Sequence, residues 1–208
     1  MAKHPFSDEE GRARFGRAVA TVEACSCAEV VVAVRPRSAP YGARVWASGA
    51  ALGYGALLFT LFAPPIVGPG WIALIVAASC GLGVGLASIG PVLRALIGTS
   101  LPDAAVASAA RATFVELRVD ATRERSGILI YVSLLEQRAS VVADVGVLAR
   151  VDPDVWAGAQ RRLETSVASG VDEPGRQRFI EAIEALGPIL QGPLPRAEDD
   201  TDELEDVA

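Results

Sequence analysis

From Val45 to Leu93 the chain carries no charged residue, and Arg44 and Arg94 bracket the run. The run is more than twice the roughly 20 apolar residues that one bilayer crossing requires. A helix in water needs a polar face, and a stretch this long has none, so it predicts a membrane segment. "FAPPIVGPGW" (Phe62 to Trp71) interrupts it with prolines and glycines; proline lacks an amide hydrogen and clashes with the preceding turn. Two crossings follow, from about Val45 to Ala63 and from about Pro69 to Leu93, joined by a short uncharged link. Trp46 and Trp71 fall near their ends, where amphipathic rings favour the interface. Gly49 with Gly53, and Gly81 with Gly85, have the four-residue spacing that lets helix backbones approach in lipid. Neither helix contains an ionisable residue, which argues against a channel or an ion transporter.

Arg35, Arg37 and Arg44 precede the first crossing, Arg94 and Arg111 follow the second, and the link has no basic residue. The positive-inside rule then predicts a two-pass protein of the inner (plasma) membrane with both termini cytoplasmic. The start, "MAKHPFSDEEGRARF", is charged where a cleaved signal would be apolar, so no signal peptide is expected. From Arg196 onward there is one Arg against seven acids, which matches the whole formal net charge of −6. The remainder balances, so nothing suggests a nucleic-acid partner. Cys25, Cys27 and Cys80 form no disulfide framework, since positions two apart bridge poorly and Cys80 lies in the apolar run.

The polar part comes in two unequal pieces. Ser7 and Glu10 of "SDEE" suggest a capping box. Phe15, Ala18, Val19 and Val22 then recur at helical spacing, predicting a helix from Asp8 to about Ala24. "AEVVVAV" (Ala28 to Val34) reads as a buried strand, which cannot satisfy its own backbone groups. Beyond the membrane run come a helix from about Asp103 to Val119 and two apolar strands, "GILIYVSL" and "ASVVADVG", linked as a hairpin by "LEQR". Helices from about Pro153 to Ser169 and Gly175 to Leu190 close the series. The simplest account is one α/β domain cut by the hairpin: residues 1–40 and 99–195 form it, 41–98 cross the membrane, and 196–208 make an acidic tail.

Acidic side chains where strands end are the available site chemistry, because hard divalent cations take oxygen ligands from separate loops. Asp144 ends an apolar strand, and Gly146 after it would permit an unusual turn. Glu29 opens the first strand, Asp120 precedes the hairpin, and Asp152 starts a helix. These four are the candidate ligands for Ca²⁺ or Mg²⁺. Three of them have a structural alternative: a turn for Asp144, an N-cap for Asp152, with Asp154 beside it in the first turn, and an ion pair of Glu29 with Arg35 or Arg118. Strict enzyme constellations are absent from the sequence. The one histidine, His4, lies at the terminus, and "CSC" at Cys25 and Cys27 has no further Cys or His partner.

The order of these elements, with "TRERSGILIYVSLLEQRASVVADVG", Trp156 on the next helix and the closing "DELEDV", resembles the TPM-domain family, in particular its bacterial membrane-protein members. The resemblance covers roughly Phe6 to Pro36 and Ala104 to Val207. It implies a three-layer α/β/α sandwich, which in this chain the transmembrane hairpin interrupts. Some relatives bind calcium, weak phosphatase activity has been attributed to plant members, and others serve as membrane-associated accessory factors. The chain departs from the pattern in having "CSCAE" where Thr-Gly or Ser-Gly usually precedes the first acid. The resulting expectation is a membrane-anchored binding or accessory module that engages another membrane or envelope protein and is non-catalytic. A weak metal-assisted phosphatase is the alternative.

Overall fold

The computed structural model describes residues 5–62, 68–98, 100–196, 204 and 207. His4, the link at 63–67 and most of the acidic tail lie outside the described residues. The chain divides into two compact units, one made of Met1–Ser38 with Asp103–Ala208, the other of Ala39–Pro102.

The first unit is mixed α/β around a three-stranded sheet. β1 (Glu29–Arg35) pairs parallel with β2 (Gly127–Ser133), in register from Glu29 opposite Gly127 to Arg35 opposite Ser133. β2 pairs antiparallel with β3 (Arg138–Ala143), with Ile128 opposite Ala143. Val30, Val32, Ile128, Ile130 and Val141 pack with α1 (Glu9–Glu23), α7 (Pro153–Ala168), α8 (Glu173–Glu184) and α9 (Leu186–Leu190). Phe6, Phe15 and Phe179 form a mutual ring cluster there, with centroids 5.3–5.6 Å apart. The intervening residues Val31, Ala33, Leu129 and Tyr131 pack with Val106, Ala110 and Phe114 of α5 (Ser100–Glu116), which enters this unit at Asp103. Burial on both faces explains why β1 and β2 are continuous apolar runs rather than alternating ones.

Helix α1 is capped differently from the expectation. Asp8, not Ser7, is the N-cap and accepts from the Gly11 amide at 2.6 Å. Glu10 instead pairs with Arg14 one turn on, at 2.6 Å. An aspartate one residue nearer the helix satisfies the orphan amide and leaves the glutamate free for an i,i+4 pair.

The turn end of the β2–β3 hairpin holds both points where the chain leaves and re-enters this unit. Glu136, buried, accepts from the Ser38 amide at 2.9 Å and from the Ser133 hydroxyl. The Leu134 and Leu135 amides donate to the carbonyls of Arg35 and Pro36, each at 3.0 Å. On the return side Arg138 pairs with Asp103 at 3.0 Å.

The second unit contains α2 (Gly42–Phe62), α3 (Pro69–Ala87) and α4 (Gly90–Ile97). The second apolar helix ends at Ala87 rather than near Leu93. Pro91 sits in the first turn of α4, where its missing amide costs nothing, and the chain restarts there as a short helix. Arg44 donates to the Leu96 carbonyl at 3.0 Å, at the electronegative end of α4.

The close approach of α2 and α3 uses Gly49, Gly53 and Gly83, not Gly81 and Gly85. A Cβ on Gly83 would lie 2.8 Å from the Gly49 Cα, and one on Gly53 2.1 Å from the Cys80 sulfur. Around Gly81 and Gly85 there is open space. Gly83→Val should therefore part the helices in detergent micelles and speed maleimide labelling of Cys80, whereas Gly85→Val should leave the labelling rate unchanged. In the sheet, a Cβ on Gly127 would lie 2.0 Å from the Val119 carbonyl oxygen. Gly127→Ala should cost at least about 1–3 kcal/mol in a chemical melt through overpacking.

Candidate functional site

Asp144 is 4 % exposed where β3 meets α6 (Val145–Arg150). It is the N-cap of that helix: Oδ1 accepts from the Val145 amide at 2.7 Å. Arg125 donates from Nη2 to the same oxygen at 3.0 Å, and its Nε stands 2.8 Å from Oδ2 in a close ion contact without hydrogen-bond alignment. The Asp144 amide donates to the Gly127 carbonyl at 2.9 Å. An aspartate at this strand end thus serves a helix start and an arginine together. Gly146 has no left-handed backbone, contrary to the expected turn. It is needed for space, since a Cβ there would lie 2.4 Å and 2.5 Å from the carbonyl oxygens of Glu124 and Arg125. Arg125 itself takes the positive φ of 56° in this loop.

The other sequence candidates occupy the same end of the sheet or the helix beyond it. Glu29 is buried and stands opposite Gly127, so Glu29 and Asp144 flank one glycine on β2. The space over that glycine is filled by the Val119 carbonyl from the 3-10 turn Val119–Ala121, which also carries half-buried Asp120. Asp152 is exposed and caps α7, accepting from the amides of Asp154 at 2.9 Å and Val155 at 3.1 Å. Among the described residues no three His, Cys, Asp or Glu side chains converge as a group that could hold a metal ion.

The loop that carries Arg125 also holds Glu124, which no sequence pattern marks. Glu124 receives Arg150 at 2.7 Å and, weakly, the Cys27 thiol at 3.7 Å. The Arg150 hydrogen bond, followed by its charge, holds the Glu124 carboxyl below its ordinary range. Cys27 is bound to the loop a second way, since the Ser126 hydroxyl donates to its carbonyl at 2.8 Å.

A second place stands out at the outer edge of β3. A groove of about 430 Å³ is lined by Asp103 of α5, Arg138 and Ser140 of β3, and Glu164 and Thr165 of α7. Desolvation in the groove, and then the like charge of Asp103, raise the Glu164 carboxyl above its ordinary range. Arg138 neutralises Asp103 but makes no ion pair with Glu164, so the groove offers hydrogen-bond acceptors and a carboxylate to a cationic partner. No spacing in the sequence signals it, because its residues come from three elements that only the fold assembles.

A group with a raised folded pKa favours the protonated state on folding. The stability that protonated Glu164 contributes is therefore present below the unfolded value and is lost as pH rises through the raised value. Carboxyl NMR should show Glu164 titrating above a free glutamate, and Asp103→Asn should bring it part of the way down. Asp144→Ala should cost about 1–2 kcal/mol as a lost cap, while Asp152→Ala, at an exposed cap, should cost less; paired urea melts measure both.

No family model matches the chain, and no curated protein does. Among solved structures it is similar to the NMR structure of the BA42 protein from the psychrophilic bacterium Bizionia argentinensis, with a TM-score of 0.57 and 16 % identity over 97 % of this chain and 94 % of that one. At that identity the likeness is one of fold, and the chain shares a related fold with a bacterial protein.

Proposed function

We propose that this chain is a two-pass, membrane-anchored binding or accessory module of the cell envelope, built as a TPM-like three-layer α/β/α sandwich cut by a helical hairpin. The observation that carries the reading is the exposure of apolar side chains on α2 and α3. Both helices are long and apolar enough to cross a bilayer, yet Trp46, Phe59, Phe62 and Trp71 are between 65 % and 79 % exposed. A core helix of a soluble protein would bury such residues, and apolar surface of this extent marks a membrane or partner contact. The arginines flanking the pair support cytoplasmic termini and an inner-membrane location.

Binding is favoured over catalysis because the carboxylate best placed for chemistry, Asp144, is already engaged by Arg125 and a helix amide. The groove between α5, β3 and α7 supports contact with another membrane or envelope protein through a basic group. A Ca²⁺ or Mg²⁺ role at Asp144 takes a specific form in this reading: the ion would replace Arg125, with Glu29, Asp120 and Asp152 as the further acids to test.

The full-length chain should stay with the bilayer after alkaline carbonate extraction and leave it only in detergent; recovery in the carbonate supernatant would overturn the anchor. Reporter fusions at both termini should report the cytoplasmic side. Calorimetric titration with Ca²⁺ and Mg²⁺ should give a heat that Asp144→Ala abolishes and Arg125→Ala strengthens, and the absence of any heat would remove the ion from the reading.

A further inference from the structure

β1 is an edge strand. Among the strands of the described residues it pairs with β2 alone, yet Val30, Val31, Val32 and Ala33 are almost fully buried. A bare edge of Val and Ala would offer unpaired backbone groups for association with any extended chain, so this edge has to be covered. Its cover comes from successive pieces of the chain. At the strand's approach the Cys27 amide donates to the Leu194 carbonyl at 3.0 Å, and Ser26 bridges Pro195 antiparallel. At Val30 the amide donates to the buried Glu23 carboxylate at 2.9 Å. Two residues on, at Val32, the partner is Val207, in a parallel bridge.

Val207 therefore lies at the next outward-facing position of the edge after the one that Glu23 covers, as the two-residue period of a strand requires. Its side chain packs against the core shared by α1, α7 and α8, whereas Leu204 packs against the core under α5. Leu204 and Val207 thus pack against the cores on opposite faces of the sheet. Arg196 fixes the start of the segment by donating to the Glu23 carbonyl at 2.6 Å.

We infer that the outer edge of β1 is a strand-addition surface and that its resident is this chain's own C-terminal segment, seated through Leu204 and Val207. The segment carries seven carboxylates between Glu198 and Asp206, so mutual repulsion opposes its docking while two apolar side chains and main-chain pairing favour it. It is a removable cover for this edge, and the surface beneath accepts the same sequence supplied in trans. The inference does not depend on the membrane reading.

The test uses the full chain in detergent micelles, a chain ending at Arg196, and the double variant Leu204→Asp/Val207→Asp, compared by hydrogen exchange. Protection of the Val32 amide should fall at least tenfold in both altered chains. A synthetic peptide of residues 197–208 should restore it in the shortened chain, and the same peptide with both Asp substitutions should not. Unchanged protection in the shortened chain, or failure of the native peptide to restore it, overturns the inference. Should the shortened chain not fold, Val32→Cys/Val207→Cys, with the three native cysteines replaced by serine, decides the matter. An intrachain disulfide is the expected result, and an interchain disulfide or none overturns it.

Discussion

The parallel pairing of β1 with β2 is the constraint on which the α/β unit depends. Seven residues made before the insertion lie in register with seven made after it, and neither strand reaches a hydrogen-bonded, two-sided burial without the other. The long excursion between them costs less than its length suggests, because loop-closure entropy grows only logarithmically. The hairpin lowers that cost further. Gly49 meets Gly83 and Val84, and Gly53 meets Cys80, so α2 and α3 run antiparallel and α3 leads back towards the start of α2. At the sheet, Glu136 secures the departing chain at Ser38 and Arg138 secures the returning one at Asp103.

The opposite end of the sheet shows how one glycine governs the acids around it. Gly127 has no side chain, so the Val119 carbonyl lies directly over it, between the rows that end in Glu29 and Asp144. Packed backbone fills the space that a side chain at Gly127 would take. Asp144 turns to Arg125 and to the first amide of α6, and Gly146 lets the Glu124–Arg125 loop lie close enough for that contact. Buried carboxylates are tolerated when hydrogen-bonded and paired, and this corner meets both conditions with its own residues.

Much of the outline was legible from residue order. The uncharged run gave two apolar helices, and the apolar strands emerged within a residue of their expected ends except that β3 stops at Ala143, three residues before Gly146. Asp152 proved to be a helix cap, one of the two roles its sequence context allowed. Other features depended on contacts between distant residues. Gly81 and Gly85 have the same spacing as Gly49 and Gly53, and periodicity cannot tell which face of α3 meets α2. Helix α6 was missed because Asp144 and Gly146 read as a turn, whereas the glycine serves the close approach of a loop from twenty residues away. The Asp103, Arg138 and Glu164 groove left no local trace at all.

What the sequence determined by itself was the class of each segment: apolar helices by the absence of charge, buried strands by their Val content, the capped start of α7 by Asp152. Such properties follow from the solvent preference and backbone propensity of neighbouring residues, which act over a few positions. Tertiary structure alone decided which strand closes the sheet, which glycines touch, where Asp144 spends its charge, and that Val207 returns to cover the edge of Val32. Those outcomes depend on which backbone groups and volumes remain unsatisfied once the sheet has formed, and that is a property of the whole unit rather than of any stretch within it.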